Sequence, residues 1–93
     1  MDGSYKALAD PTRRRILELL RDGDLTAGEI ASEFSMAWPS VSHHLNVLRT
    51  SDLVLAERDG QHIRYSLNTT VLQDLVAELM DIAGRRRRGK QDA

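Results

Sequence analysis

Ninety-three residues without a cysteine, 41% of them hydrophobic and 29% charged, make one small domain with no disulfide, no thiolate metal site and no cysteine nucleophile. The net charge of −1 hides a division, because five of the 13 basic residues lie in Arg85-Arg86-Arg87-Arg88-Gly89-Lys90, leaving 8 basic against 13 acidic residues through Gly84. No apolar run approaches the roughly 20 residues of a bilayer span, and the N-terminus lacks the basic-then-apolar order of a signal peptide, so a cytoplasmic protein is expected.

In chain order, Ser4 to Leu8 is a short helix whose apolar points, Tyr5 and Leu8, need something to pack on. Asp10-Pro11 starts a second helix, since the carboxylate accepts from free first-turn amides and proline suits the first helical position. Ile16, Leu17, Leu19 and Leu20 form its buried face, and Asp22-Gly23-Asp24 ends it, with Gly23 expected in the left-handed conformation. Of the run Arg13-Arg14-Arg15, whose members point in different directions on a helix, Arg13 is expected in a structural pair with an acid such as Asp10. Thr26-Ala27-Gly28-Glu29 fits a capping box, so a third helix begins at Ala27 with Ile30, Ala31 and Phe34 on one side. Ser35-Met36-Ala37 is the expected turn, after which Pro39 restarts helical structure.

The helix from Trp38 to Thr50 has two chemically different sides. Val41, Leu45 and Leu48 form a narrow apolar stripe, while Ser40, Ser42, His43, Asn46 and Arg49 project away from it. A face chosen only for solubility would carry Lys and Glu. Ser, His, Asn and Arg instead offer donors and acceptors suited to base edges in a DNA major groove, with Asn46 and Arg49 placed for phosphate. Trp38, at an outward first-turn position, either stacks on a sugar or thymine methyl or covers Met36. Two readings stand for His44, which lies nearer the stripe: packing or hydrogen bonding between helices, or the outer face. Because neighbouring helical residues diverge by about 100°, His43 and His44 cannot share a metal or substrate from one side. No Ser/His/Asp order, Gly-rich phosphate loop or HExxH run appears either, so neither an enzyme nor a small-molecule substrate is expected.

Leu53-Val54-Leu55 opens a strand, Asp59-Gly60 signals a two-residue hairpin, and the return alternates Ile63, Tyr65 and Leu67 inward with His62, Arg64 and Ser66 outward. This hairpin, 54–67, is a wing, with Arg58, Gln61, His62 and Arg64 as candidates for phosphate or minor-groove contact. A last helix runs from Asn68 or Thr70 to Ala83, bearing Leu72, Leu75, Val76, Leu79 and Ile82 at spacings of three and four, with Val71 and Met80 widening the stripe. Tyr5 and Leu8 together with the same helix of a second copy would cover it in a homodimer. The domain is expected to span 1–84, with 85–93 a disordered basic tail that either attracts flanking DNA or only solubilises.

Four passages read together carry a resemblance: Ala7-Leu8-Ala9-Asp10-Pro11-Thr12-Arg13-Arg14 with Ile16-Leu17; Leu25-Thr26-Ala27-Gly28-Glu29-Ile30-Ala31; Ser40-Val41-Ser42-His43-His44-Leu45 with Leu48; and Gly60 through Tyr65-Ser66-Leu67-Asn68-Thr69-Thr70-Val71-Leu72-Gln73-Asp74. They resemble the ArsR-type winged helix-turn-helix repressors, nearest the small metal-independent, SdpR-like autorepressor branch. The fold implied is mainly α with a small β-hairpin, ordered α-α-α-α-β-β-α and dimeric. The resemblance also implies binding to double-stranded operator DNA of two half-sites, repression commonly of the protein's own operon, and relief by sequestration to a membrane protein. Metal-sensing relatives place cysteines on the helix before the recognition helix, or carboxylates with histidines on the last one. Ala27 to Phe34 has no cysteine and Asp74, Glu78 and Asp81 have no histidine beside them, so no metal and no cofactor are expected. Ala37, Asp52 and Gln61 stand where Ser, Gly and a basic residue are frequent. A ligand- or metal-responsive sensor, and a protein-interaction module suggested by the acidic body, are the alternative readings.

Overall fold

The computed structural model describes residues 2–84, and the expected tail at 85–93 lies outside the described residues. The described elements follow as α1 (Asp2–Leu8), α2 (Pro11–Leu20), β1 (Leu25–Thr26), α3 (Ala27–Ala31), α4 (Trp38–Thr50), β2 (Val54–Asp59), β3 (His62–Leu67) and α5 (Thr69–Ala83). No helix among them is long and apolar enough to cross a membrane.

Helix starts obey local chemistry. Asp10 accepts from the amides of Thr12 at 2.8 Å and Arg13 at 3.1 Å. Burial pushes its carboxyl up, but those two amides, with the positive field of Arg13, outweigh burial and hold it below the ordinary value. The capping box at α3 closes in both directions, the Glu29 amide donating to Thr26 Oγ1 at 3.2 Å and the Thr26 amide to Glu29 Oε1 at 2.8 Å. Asn68 caps α5 by accepting from the Val71 amide. The end of α4 is equally defined: the Leu53 amide reaches the Leu48 carbonyl at 3.0 Å and the Asp52 amide reaches that of Arg49 at 3.1 Å. This is the Schellman pattern, and it forces Asp52 to φ 63°, where glycine is the usual occupant.

The core sits beneath α4. Val41, Leu45 and Leu48 are buried against Ile16, Leu17 and Leu20 of α2, Ile30 of α3, Leu53 and Val54 at the entry to β2, and Leu75 of α5. Each such side chain stabilises the fold by about 1.5–3 kcal/mol through burial, so the inner stripe holds α4 in the core and leaves its outer face exposed.

Five sequence expectations change. A third strand, β1, pairs antiparallel with β3 (Leu25↔Tyr65, Thr26↔Arg64), so the sheet order is β1-β3-β2; two residues are too short for any alternation signal. The hairpin loop is Gly60-Gln61 rather than Asp59-Gly60, because Asp59 still pairs with His62. Gly60 takes φ 65° and Gln61 does not take positive φ, a type II′ arrangement that needs glycine first. Gly23 adopts φ 151° instead of a left-handed helical value, α2 having ended at Arg21 with helical backbone. The connection between α3 and α4 is 32–37, longer than the expected 35–37, as α3 stops at Ala31. Finally, the inward-outward contrast along β3 is blurred: Arg64 and Ser66 are half-buried like Tyr65 and Leu67, β1 lying alongside this strand.

Candidate nucleic-acid interface

The outer face of α4 presents Ser40, Ser42, His43, Asn46 and Arg49, all exposed, while the inner stripe is sealed. Arg49 Nη2 donates to Asn46 Oδ1 at 2.9 Å, one helical turn away, so this part of the face carries an oriented guanidinium. Trp38 is 50% exposed at the first position of the helix. Ala37 takes the extended backbone of an N-cap but supplies no side-chain bond, as its methyl dictates. His43 and His44 have ring centroids 5.8 Å apart at 54°, yet His43 is exposed and His44 half-buried.

His44 proves to lie between helices. Arg13 Nη1 meets its Nδ1 at 3.1 Å, while Arg13 Nε and Nη2 donate to the carbonyls of Ala7 at 2.9 Å and Lys6 at 3.2 Å. Arg14 Nη1 adds the Leu8 carbonyl at 2.7 Å. The two arginines thus satisfy the last carbonyls of α1, which have no partner within that helix. The Arg13 side chain therefore bonds with carbonyls and an imidazole rather than with the Asp10 carboxylate expected from sequence.

On the wing, Arg58, Gln61 and His62 are exposed near the hairpin tip. Arg64 has a partner within the wing. Its Nη2 and Nε both donate to Asp59 Oδ2, at 2.7 and 3.1 Å, and that bond and charge raise its already high pKa, with Glu29 and Asp24 adding to the negative field. This exposed ion pair braces the wing near its tip. The signal was available in principle, since an acid at 59 and a base at 64 sit diagonally across a two-residue hairpin.

The second expected surface is on α5. Val76, Leu79, Met80 and Ile82 are 58%, 48%, 42% and 77% exposed, and Leu72, Gln73, Val76 and Ala77 line an open depression of about 300 Å³. Tyr5 and Leu8 of α1 are half-buried against the core, and the Tyr5 hydroxyl donates to Glu78 Oε1 of α5. Leu75 does not belong with them: at 1% exposure it is spent in its own subunit's core and has no surface to share.

Residues 10–55 match the family described as bacterial regulatory protein, arsR family. The chain is also 49% identical to the transcriptional repressor SdpR of Bacillus subtilis (strain 168) over 85 residues, covering 91% of this chain and 94% of that protein. The chain belongs to the ArsR family. Solved ArsR structures agree in fold: an ArsR-like transcriptional regulator from Rhodococcus sp. RHA1 superposes with TM-score 0.82 at 28% identity, covering 90% of this chain and 77% of that one. The crystal structure of another ArsR family transcriptional regulator gives 0.75 at 32% identity, covering 87% and 92%. As an ArsR protein the chain is a DNA-binding transcriptional repressor and not an enzyme. Helices α3 and α4 with the turn between them are the helix-turn-helix of that family's architecture, and the β2–β3 hairpin is its wing.

Proposed function

We propose that this repressor works as a homodimer in the cytoplasm, placing α4 of each subunit in successive major grooves of a two-half-site operator. The observation that carries this reading is the division of α4 into a sealed apolar stripe and an exposed face of small hydrogen-bonding side chains. Trp38, Ser40, Ser42 and His43 address base edges from the leading part of the helix, where recognition helices read sequence. Asn46 and Arg49 engage phosphate, and Arg58, Gln61, His62 and Arg64 engage the backbone or minor groove beside it. Tyr5, Leu8, Leu72, Val76, Leu79 and Ile82, with Met80, form the self-complementary dimer surface. The domain comprises 1–84, and the basic residues of 85–93 add sequence-independent attraction.

Two copies of α4 about 34–36 Å apart would match one turn of DNA. With an acidic body, discrimination depends on this spacing and on specific contacts more than on bulk charge. The operator is that of the protein's own operon, and the autorepressor resemblance supports release through capture by a membrane protein encoded there. A gel-shift titration against the protein's own promoter tests the central reading. The intact dimer should prefer that duplex over random DNA at physiological salt, and Ser42→Ala with His43→Ala should erase the preference. Equal binding to both duplexes by the unsubstituted protein would refute sequence-specific repression.

A further inference from the structure

Helix α1 touches α4 at two separated points. At its C-terminal end, Arg13 holds the carbonyls of Lys6 and Ala7 and extends Nη1 to His44, in the middle of α4. Near its N-terminal end, Ser4 Oγ donates to the carbonyl of Ser51, the C-cap of α4, at 3.1 Å. Ser4 is 6% exposed, a buried polar side chain among the apolar core, and the neighbouring Gly3 comes so near that an added Cβ would lie 3.9 Å from that of Ser51. A guanidinium can only donate, so His44 Nδ1 must accept and its proton sits on Nε2.

The apolar stripe of α4 sets its depth in the core, but nondirectional contacts leave its roll and tilt weakly specified. Hydrogen bonds at mid-helix and at the C-cap supply direction at two points along one rod. Both originate from α1 or the arginine that caps it, and α1 is joined to α5 through Tyr5 and Glu78.

We infer that His44, Arg13 and Ser4 are positioning residues that clamp the recognition helix to α1, so that the pose of α4 is set by the helix pair carrying the dimer surface. None of them touches DNA. They act on how well the two copies of α4 fit both half-sites at once, and therefore on operator affinity more than on binding to random duplex, where register is not required. This rests on the operator-binding reading above.

The test uses the full chain with His44→Leu, His44→Asn and Ser4→Ala, read by sedimentation, thermal melting and titration with operator and random duplex. His44→Leu removes the acceptor; His44→Asn restores one at the δ position. The expected result is a dimer in every case, with operator binding weakened about tenfold for His44→Leu, as for loss of one bond to a charged group. Random-duplex binding should stay within about twofold, and His44→Asn should recover most of the loss. Ser4→Ala, a small change that folding tolerates, should shift the same ratio in the same direction. If operator and random binding fall together, or if Asn does no better than Leu, or if Ser4→Ala leaves the ratio unchanged, the clamp is overturned. Should Ser42→Ala with His43→Ala abolish operator preference while these variants leave it intact, only the clamp falls. Absence of preference in the unsubstituted protein overturns both.

Discussion

Leu79→Glu is the sharpest perturbation of the proposed dimer. Leu79 is 48% exposed in the subunit, so covering it completely would bury about half a leucine side chain, near 1 kcal/mol per subunit. A carboxylate there loses that gain and must shed water without a partner, costing at least as much again. An isologous interface contains the residue twice, so the dimer should weaken by about 4 kcal/mol, close to a thousandfold in dissociation constant. Sedimentation equilibrium across micromolar concentrations measures this directly, with circular dichroism to establish that helical content is retained. Operator binding should collapse in parallel, since one subunit reaches only one half-site. A variant that stays dimeric with an unchanged constant would show that the outer face of α5 is not the interface.

Three further outcomes concern helix ends and pH. Asp52→Gly relieves a left-handed backbone at φ 63° and should stabilise the fold by about 0.5–1 kcal/mol, net of glycine's unfolded-state entropy, visible as a higher melting temperature. Ala37→Ser gives α4 the side-chain cap it lacks and should add about 1 kcal/mol, measured by urea unfolding. Asp10 has its carboxyl lowered from 3.8 in the folded chain. Its contribution is therefore complete above that unfolded value and disappears as pH falls through the lower folded one. Asp10→Ala should lose about 1 kcal/mol of capping at neutral pH and should flatten the acid limb of a stability profile between pH 5 and 2.

Local signals were legible wherever one residue acts on its own backbone neighbours. Asp10-Pro11, the Thr26/Glu29 box and the stripe Val41, Leu45 and Leu48 each appear in the structure as read, because capping and helical periodicity involve groups within four residues of one another. The surroundings of Arg64, Leu75 and His44 are not legible in the sequence, because they depend on neighbours brought together by folding. Asp59 bonds Arg64, and Glu29 and Asp24 add their negative field, only once the hairpin closes and β1 joins β3. Leu75 shares periodicity with Val76 and Leu79, and only the packing of α5 on the core separates the buried one from the exposed pair.

From the sequence alone came the family, the order of helices and wing, and the polar outer face of α4, since these rest on periodicity and on residue chemistry at short range. Tertiary structure decided which cations are drawn into contacts across the fold. Arg49 and Arg58 bond only to groups within three residues of themselves, while Arg13 reaches α1 and His44, and Arg64 reaches back across the hairpin to Asp59. A charge has no function until its partners are known, and partners 31 residues apart, as Arg13 and His44 are, meet only through the packing of the whole domain.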